Sequence, residues 1–235
     1  MTNRSVSVQA LPLGDFTFPD DAPWPGEAGL VVGYAIRHPA GVLLFDTGFV
    51  LIEESDPELD GFYAKYRIRP RPVLEALERA GIDRGEITAI ANCHLHLDHC
   101  GQNGLFPGVP IYVQPAELEA AGGEDYTVAR VFNFEGAHLQ PRAGDHEIAP
   151  GIRIFATPGH SPGHQSLVVE TPDGPLLLAG QAVYSAGEWA GTTGARDGSD
   201  DSRADHDAYA GSVARLRALR PKRVLFGHDR HGWPD

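Results

Sequence analysis

The segment that most constrains this chain reads His-Leu-His-Leu-Asp-His over residues 94–99. Its three imidazoles and one carboxylate are all ligands for first-row metals. In an extended chain His94 and His96 point to the same side, because strand side chains repeat every second residue. A turn within the segment then presents Asp98 and His99 from another direction. The segment therefore predicts ligands for two adjacent metal positions, with a His-rich surface loop as the alternative.

The residues before this segment favour the metal-site interpretation. Residues 87–93 read Ile-Thr-Ala-Ile-Ala-Asn-Cys, a mostly apolar run typical of a buried strand. A surface loop does not need such a strand. Two later strand-like runs also stop at Pro or Gly with a histidine beyond, giving His160 and His164 in one loop and His228 in the other. We expect these histidines to lie at the ends of strands.

Periodicity and turn residues predict a mixed α and β chain. Turn residues at 39–41 and 172–174 indicate hairpins, and Asp205 is a candidate helix N-cap. At 235 residues the chain has the length of one large domain, and we predict a single domain over 1–235. Strands are expected near 5–12, 30–38, 42–46, 87–93, 146–149, 152–157, 165–171, 175–180 and 222–227, and helices over 71–81, over 205–219 and from Pro115.

Composition argues against nucleic-acid and membrane partners. The formal net charge of -13 argues against nucleic acid, because phosphate binding needs basic patches. No apolar run approaches the roughly 20 residues that span a bilayer, and the first residues lack the apolar core of a signal peptide. Two cysteines, Cys93 and Cys100, are too few for a disulfide framework. We therefore expect a cytoplasmic chain with structural thiols and no membrane partner; its oligomeric state is left open.

Taken together, these motifs resemble the metallo-β-lactamase superfamily. The segment at 94–99, the loop ending in His164, the strand-end His228 and an early Asp-Thr-Gly at 46–48 occur in the family's order, over residues 31–229. The resemblance implies an α+β fold, a four-layer αββα sandwich. It also implies a zinc site of one or two ions, with iron and manganese as alternatives, because His and Asp accept all three metals.

The resemblance further implies two sets of ligands and shows one departure. One metal would be held by His94, His96 and His164, and the other by Asp98, His99 and His228. The family usually has an aspartate that bridges both metals, and here that position is Gln181. Glutamine is neutral and offers one carbonyl oxygen. We therefore expect either a weaker second metal or a site with a single ion.

The function implied by the resemblance is that of a metal-dependent hydrolase. Metal-bound hydroxide would open a lactone or small ester, and Asp98 would relay the proton to the leaving alkoxide. Tyr184 matches a tyrosine that contacts the lactone carbonyl in the acyl-homoserine lactonase branch; core packing is its alternative role. The competing functions are a thioesterase resembling glyoxalase II and a non-catalytic metal-binding protein in which Gln181 marks a degenerate site.

Three further features carry expectations of their own. The segment 49–71 contains several aromatic residues and is either a lid over the substrate pocket or an ordered surface loop. His160 is expected to orient its loop rather than to bind metal. Asp46 is expected to accept an imidazole N–H and thereby fix the tautomer of a ligand histidine.

Overall fold

Two β-sheets packed face to face form the centre of the computed structural model, which describes residues 6–123, 126–196 and 204–234. The strands are β1 (Ser7–Thr17), β2 (Ala28–His38), β3 (Gly41–Phe45), β4 (Arg69–Pro70), β5 (Ile87–Ala91), β6 (Pro110–Val113), β7 (His138–Pro141), β8 (His146–Ala149), β9 (Ile152–Ala156), β10 (Gln165–Thr171), β11 (Gly174–Leu178) and β12 (Arg223–Leu225). The helices are α1 (Asp60–Lys65), α2 (Val73–Arg79), α3 (Leu97–Cys100), α4 (Pro115–Ala121), α5 (Ala186–Ala190) and α6 (His206–Ala218).

The first sheet has seven strands in the order β4-β1-β2-β3-β5-β6-β7, and the second has five in the order β12-β11-β10-β9-β8. Strands β3, β5, β6 and β7 run parallel to one another, and β12 runs parallel to β11. The carboxyl ends of parallel neighbours lie at the same edge of a sheet. Residues that follow β3 and β5 are therefore neighbours in space, although they are far apart in sequence.

Three apolar clusters correspond to the three interfaces of a four-layer sandwich. The cluster between the sheets joins residues such as Phe45 of the first sheet to Leu167 of the second. A second cluster packs α2, through Leu77, onto the outer face of the first sheet. A third packs α6, through Leu216, onto the outer face of the second. The αββα architecture expected from the resemblance is confirmed, with helices covering both sheets.

Most sequence-predicted elements occur close to their expected positions. Both hairpins form, with His38 paired to Gly41 and Thr171 paired to Gly174. The side chain of Asp205 accepts the Ala208 N–H at 2.9 Å, which caps α6 as predicted. The periodicity did not indicate β6, β7, α1 or α5, which are each four to six residues long. Within the described residues, every helix is too short or too polar to cross a bilayer.

Candidate metal centre

The candidate ligands follow the carboxyl ends of strands from both sheets. Residues 94–99 come after β5, His160 and His164 lie in the loop after β9, Gln181 follows β11, and His228 follows β12. The two sheets are joined next to this point, because the Tyr34 hydroxyl donates to the Phe226 carbonyl at 2.6 Å. Strand ends thus bring together, on one rim, side chains that the sequence separates by up to 134 positions.

Asp98, His99 and His228 form a compact set of three donor atoms. His99 Nε2 lies 3.3 Å from His228 Nε2 and 3.3 Å from Asp98 Oδ2, and His228 Nε2 lies 3.6 Å from Asp98 Oδ2. Ligand atoms on a tetrahedral zinc lie about 3.3 Å apart, since Zn–N and Zn–O distances are about 2.0–2.2 Å. The structure therefore brings together the set predicted for the second metal, in a geometry that fits the ion.

Fixed hydrogen bonds orient the two imidazoles of this set. Asp46 is fully buried and lies at φ +67° immediately after β3. Its Oδ2 accepts His99 Nδ1–H at 2.9 Å, and its Oδ1 accepts the Cys93 N–H at 2.8 Å. His228 donates its Nδ1–H to the Leu30 carbonyl at 2.6 Å. Because each Nδ1 donates a hydrogen bond, Nε2 is the nitrogen of each ring that faces the site, as in a ligand histidine.

His94 and His96 form the core of the other position. His94 Nε2 lies 2.9 Å from His96 Nδ1. The structure adds His160 to this pair, with its Nε2 3.2 Å from His94 Nε2 and 3.3 Å from His96 Nδ1. His164 lies in the same cluster, within reach of a ligand set with Cys93 and His94, but its Nε2 accepts the Gln181 N–H at 2.9 Å. The sequence predicts that His160 orients its loop rather than binds metal, whereas its Nε2 lies beside two candidate ligands, His94 and His96.

Burial keeps most of these rings neutral. Burial lowers the pKa of His164 to about 3 and the pKa of His228 to about 4, and it holds the pKa of His94 and His160 well below the ordinary value. A neutral imidazole is the form that binds a metal. Burial also lowers the pKa of His99, but attraction to the Asp98 and Asp46 carboxylates outweighs burial and raises that pKa well above its usual range, so a metal bound at Nε2 would displace a proton.

Asp98 and the cysteines have opposite protonation preferences. Burial raises the pKa of Asp98, yet attraction to His99 and His228 outweighs it and holds the pKa well below its ordinary value. Asp98 is therefore a carboxylate at neutral pH. Burial raises the pKa of both Cys93 and Cys100, so that each remains a buried thiol. Cys100 donates its S–H to the His96 carbonyl at 3.2 Å, which agrees with a structural role.

Gln181 and Tyr184 both line a cavity of about 650 Å³ beside the cluster. The Tyr184 ring stacks on His228 with centroids 4.7 Å apart and planes at 19°. The Arg196 guanidinium lies 4.9 Å from the centroid of the same Tyr184 ring. The cavity is also lined by His96, Asp98 and His160. Both sequence-predicted residues thus face the same space as the metal cluster.

The opposite walls of the cavity are mainly aromatic and aliphatic. Six residues of segment 49–71 line the cavity, and one of them, Phe62 of α1, has an exposed fraction of 41%. This placement favours the pocket-wall interpretation of the segment. Besides Tyr184, the aromatic and aliphatic lining residues are Phe16, Phe18, Trp24, Phe49, Leu59, Phe62, Tyr66, Ile68, Leu97, Tyr126 and Val128.

Glu117 in α4 is a site residue that the sequence analysis missed. It is 1% exposed, and its carboxylate accepts hydrogen bonds from two loops. Oε1 accepts the Leu95 N–H at 2.8 Å and the Tyr126 hydroxyl, while Oε2 accepts the Ser161 hydroxyl at 2.7 Å and the Gly163 N–H at 3.1 Å. Glu117 therefore ties the loop of His96 to the loop of His160. An acidic residue in the first turn is typical of any helix, so no pattern in the sequence marks Glu117 as a site residue.

The model of the Metallo-beta-lactamase superfamily matches residues 26–228, a span that contains every candidate ligand. The chain belongs to the metallo-β-lactamase superfamily. Among its members, N-acyl homoserine lactonase of Bacillus cereus is 33% identical over 207 residues, which cover 83% of this chain and 80% of the relative. N-acyl homoserine lactonase AttM of Agrobacterium fabrum is 30% identical over 220 residues, covering 85% and 82%.

Solved structures of acyl homoserine lactonases are also similar to this chain. A mutant of B. thuringiensis AiiA with N-decanoyl-L-homoserine bound at the active site matches with a TM-score of 0.76 and 29% identity, over 95% of this chain and 93% of that one. An N-acyl homoserine lactone hydrolase with N-hexanoyl-L-homoserine at its catalytic metal center matches with a TM-score of 0.75 and 27% identity, over 98% and 95%. These neighbours support the hydrolase prediction over the thioesterase and metal-binding-protein alternatives.

Proposed function

We propose that this chain is a zinc-dependent lactonase that opens the ring of N-acyl homoserine lactones. The observation that carries the proposal is the cavity, which is lined both by candidate metal-ligand side chains and by aromatic and aliphatic side chains. An acyl homoserine lactone has the matching form, since its lactone and amide are polar and its acyl chain is apolar. The two buried thiols fit a reducing compartment, and we propose the cytoplasm as the site of action.

The donor atoms fit a transition metal at two adjacent positions. Asp98, His99 and His228 would hold one ion, while His94 and His96, with a further imidazole, would hold the other. His160, whose Nε2 lies 3.2 Å from His94 Nε2, would be that further imidazole, because the predicted ligand His164 already accepts the Gln181 N–H with its Nε2. The carbonyl oxygen of Gln181 completes the proposed ligand set. A bound dication supplies Lewis acidity, which lowers the pKa of a water ligand and polarises a carbonyl.

Asp98 is suited to move the proton during ring opening. Its side chain is 19% exposed and lines the cavity, and its low pKa keeps it ionised. In the reaction, a C–O bond forms between water and the lactone carbonyl carbon, and the ring C–O bond breaks. The Asp98 carboxylate takes the proton lost by water and returns it to the departing alkoxide, which leaves as the homoserine hydroxyl.

Tyr184 is suited to stabilise the charge that develops on the carbonyl oxygen. A phenol held at a fixed position donates a hydrogen bond without the cost of ordering it during the reaction. The Tyr184 ring stacks on His228, the Arg196 guanidinium lies 4.9 Å from its centroid, and its backbone N–H donates to Glu188 Oε2 at 2.9 Å. Tyr184 lines the same cavity as the candidate metal ligands His96 and Asp98.

The proposal is tested by hydrolysis assays on metal-loaded protein. Zinc content is measured first, and the protein is then offered N-hexanoyl and N-decanoyl homoserine lactones, matched thioesters and β-lactams. We expect ring opening of the acyl homoserine lactones to be the fastest of these reactions. A protein that binds zinc but opens no lactone faster than zinc ion alone would refute the lactonase assignment, and faster thioester cleavage would favour the thioesterase.

A further inference from the structure

Arg196 places a cationic side chain on the wall of a cavity that is mainly aromatic and aliphatic. Among the described residues it is the single lysine or arginine that lines the cavity. It follows α5, and its side chain is 22% exposed. Aliphatic side chains offer no acceptor for the N–H groups of a guanidinium, so a cation in this position favours a ligand with a polar group. The alternative is a purely structural role.

Three aromatic rings hold the guanidinium in place. Its central carbon lies 4.7 Å from the ring centroid of Trp24, 4.9 Å from that of Tyr184 and 5.9 Å from that of Phe18. Phe18 and Trp24 also pack edge to face on each other, with centroids 5.4 Å apart. A cation within about 6 Å of a ring centroid is attracted to the ring. These contacts fix the guanidinium without using its N–H groups in hydrogen bonds to oxygen.

The charge of Arg196 is balanced by Glu27 in the segment between β1 and β2. Arg196 Nη2 donates a hydrogen bond to Glu27 Oε2, which uses one of the five N–H donors of the guanidinium. The carboxylates of Glu58 and Asp98 line the same cavity. An anionic ligand would therefore meet a neutralised cation and two further negative charges. The geometry favours a neutral acceptor, such as a carbonyl oxygen.

Arg196 also lies close to the candidate metal centre. The Tyr184 ring that it contacts stacks on the candidate ligand His228 with centroids 4.7 Å apart. A lactone carbonyl bound at the metal would place the amide beside the cluster and the acyl chain beyond it. Past the amide, an unsubstituted acyl chain offers only apolar carbons, whereas a 3-oxoacyl chain offers a ketone oxygen. The amide and ketone oxygens of such a chain form a pair of acceptors that suits the forked donors of a guanidinium.

We propose that Arg196 is a specificity residue that selects acyl homoserine lactones with a 3-oxo group, by donating N–H groups to the ketone oxygen. The inference rests on the proposed lactonase function and narrows its substrate class. Glu27 has a positioning role, because it orients the guanidinium and cancels its charge.

The test compares 3-oxohexanoyl with hexanoyl homoserine lactone as substrates of the zinc-loaded wild type, Arg196→Met and Arg130→Met. Methionine keeps an unbranched apolar stem and removes the charge and the donors. Arg130 is a matched control, since it pairs with the carboxylates of Asp56 and Glu58 but does not itself line the cavity. The ratio of the two kcat/KM values is measured within each protein, so a loss of folded enzyme cancels.

We expect the wild type and Arg130→Met to prefer the 3-oxo substrate by about 10- to 100-fold, since a hydrogen bond from a charged donor contributes that factor. Arg196→Met should lose this preference, mainly through KM for the 3-oxo substrate. Arg196→Lys keeps the charge without the fork, so it should also lower the preference, and it replaces the methionine variant if that variant does not fold.

Two results would overturn the inference while leaving the proposed function intact. One is a wild type that opens both lactones without preferring the 3-oxo substrate. The other is the same ratio in Arg196→Met as in the wild type, even if both reactions slow, because Arg196 would then bind the shared amide or only hold the loops together. A wild type that opens neither lactone would refute the proposed function and this inference together.

Discussion

Replacing Glu117 by Gln is the sharpest test of how the centre is held together. The substitution keeps the size and shape of the side chain but removes its charge and one of its two acceptor oxygens. The carboxylate accepts backbone N–H groups on both oxygens, from Leu95 on one side and Gly163 on the other. Whichever way the new amide turns, its NH₂ group faces one of these donors, and a backbone N–H cannot accept.

The expected cost follows from that mismatch. A buried donor left without an acceptor costs about 1–3 kcal/mol, and each hydrogen bond that loses its charged partner loses about 1 kcal/mol more. We therefore expect Glu117→Gln to lower the free energy of unfolding by about 3 kcal/mol. We also expect a loss of zinc affinity, because Glu117 fixes the two loops that carry His96 and His160.

Urea unfolding of the wild type, Glu117→Gln and Glu119→Gln measures this cost. Glu119 lies on the same helix but is exposed, so its variant loses the same charge without losing buried hydrogen bonds. The slope of free energy against urea should be the same for all three proteins, with only the midpoint shifted. If the Glu117 and Glu119 variants agree to within about 0.5 kcal/mol, which is typical of surface substitutions, the proposed tie between the loops is wrong.

Three further substitutions probe the centre and the cavity. Gln181→Asp adds a negative charge between two cations and should tighten the second zinc, measured by competition with a chelator against the neutral control Gln181→Asn; equal affinities would contradict this account. Tyr184→Phe should lower kcat by roughly 10- to 1000-fold with little change in KM, and a wild-type kcat would remove Tyr184 from the mechanism. Phe62→Ala should raise KM for decanoyl but not for butanoyl homoserine lactone, since a buried CH₂ contributes about 0.8 kcal/mol; equal changes would place the acyl chain elsewhere.

The strands that deliver ligands could be predicted from the sequence because local patterns encode them. An apolar run directly before a histidine identified the end of β5, and apolar runs that stop at Pro or Gly before a histidine identified the ends of β9 and β12, without any knowledge of their partners. The helix α6 was equally predictable, since its apolar residues recur at helical spacing and Asp205 caps it. By contrast, β6 and β7 are four-residue strands near one edge of the sheet, too short to show a period.

What could not be predicted depends on contacts between segments that are distant in sequence. His160 and His164 share one loop, and nothing in its sequence says which ring nitrogen faces the cluster. That outcome depends on the close packing of α6 against Gly159 and on the hydrogen bond that the Gln181 N–H donates to His164 Nε2. Glu117 is a similar case, because its burial results from two loops folding over the start of α4. Sequence motifs therefore identified the ligand types, whereas tertiary packing determines which of them point inward.

The candidate ligands come from both sheets, so a bound metal would also affect the free energy of folding. His99 and His228 are 129 positions apart, so an ion bound to both closes a long loop in the chain. Closing a loop of that length costs an unfolded chain about 4 kcal/mol of free energy through lost conformational entropy. In the folded protein the two residues are already together, so the ion binds there without that cost. A zinc ion bound at the proposed site would thus act as a removable cross-link between the two halves of the sandwich. A change that weakens metal binding in favour of turnover would then also weaken the contact between the sheets, and catalytic rate would be coupled to thermal stability through one ion.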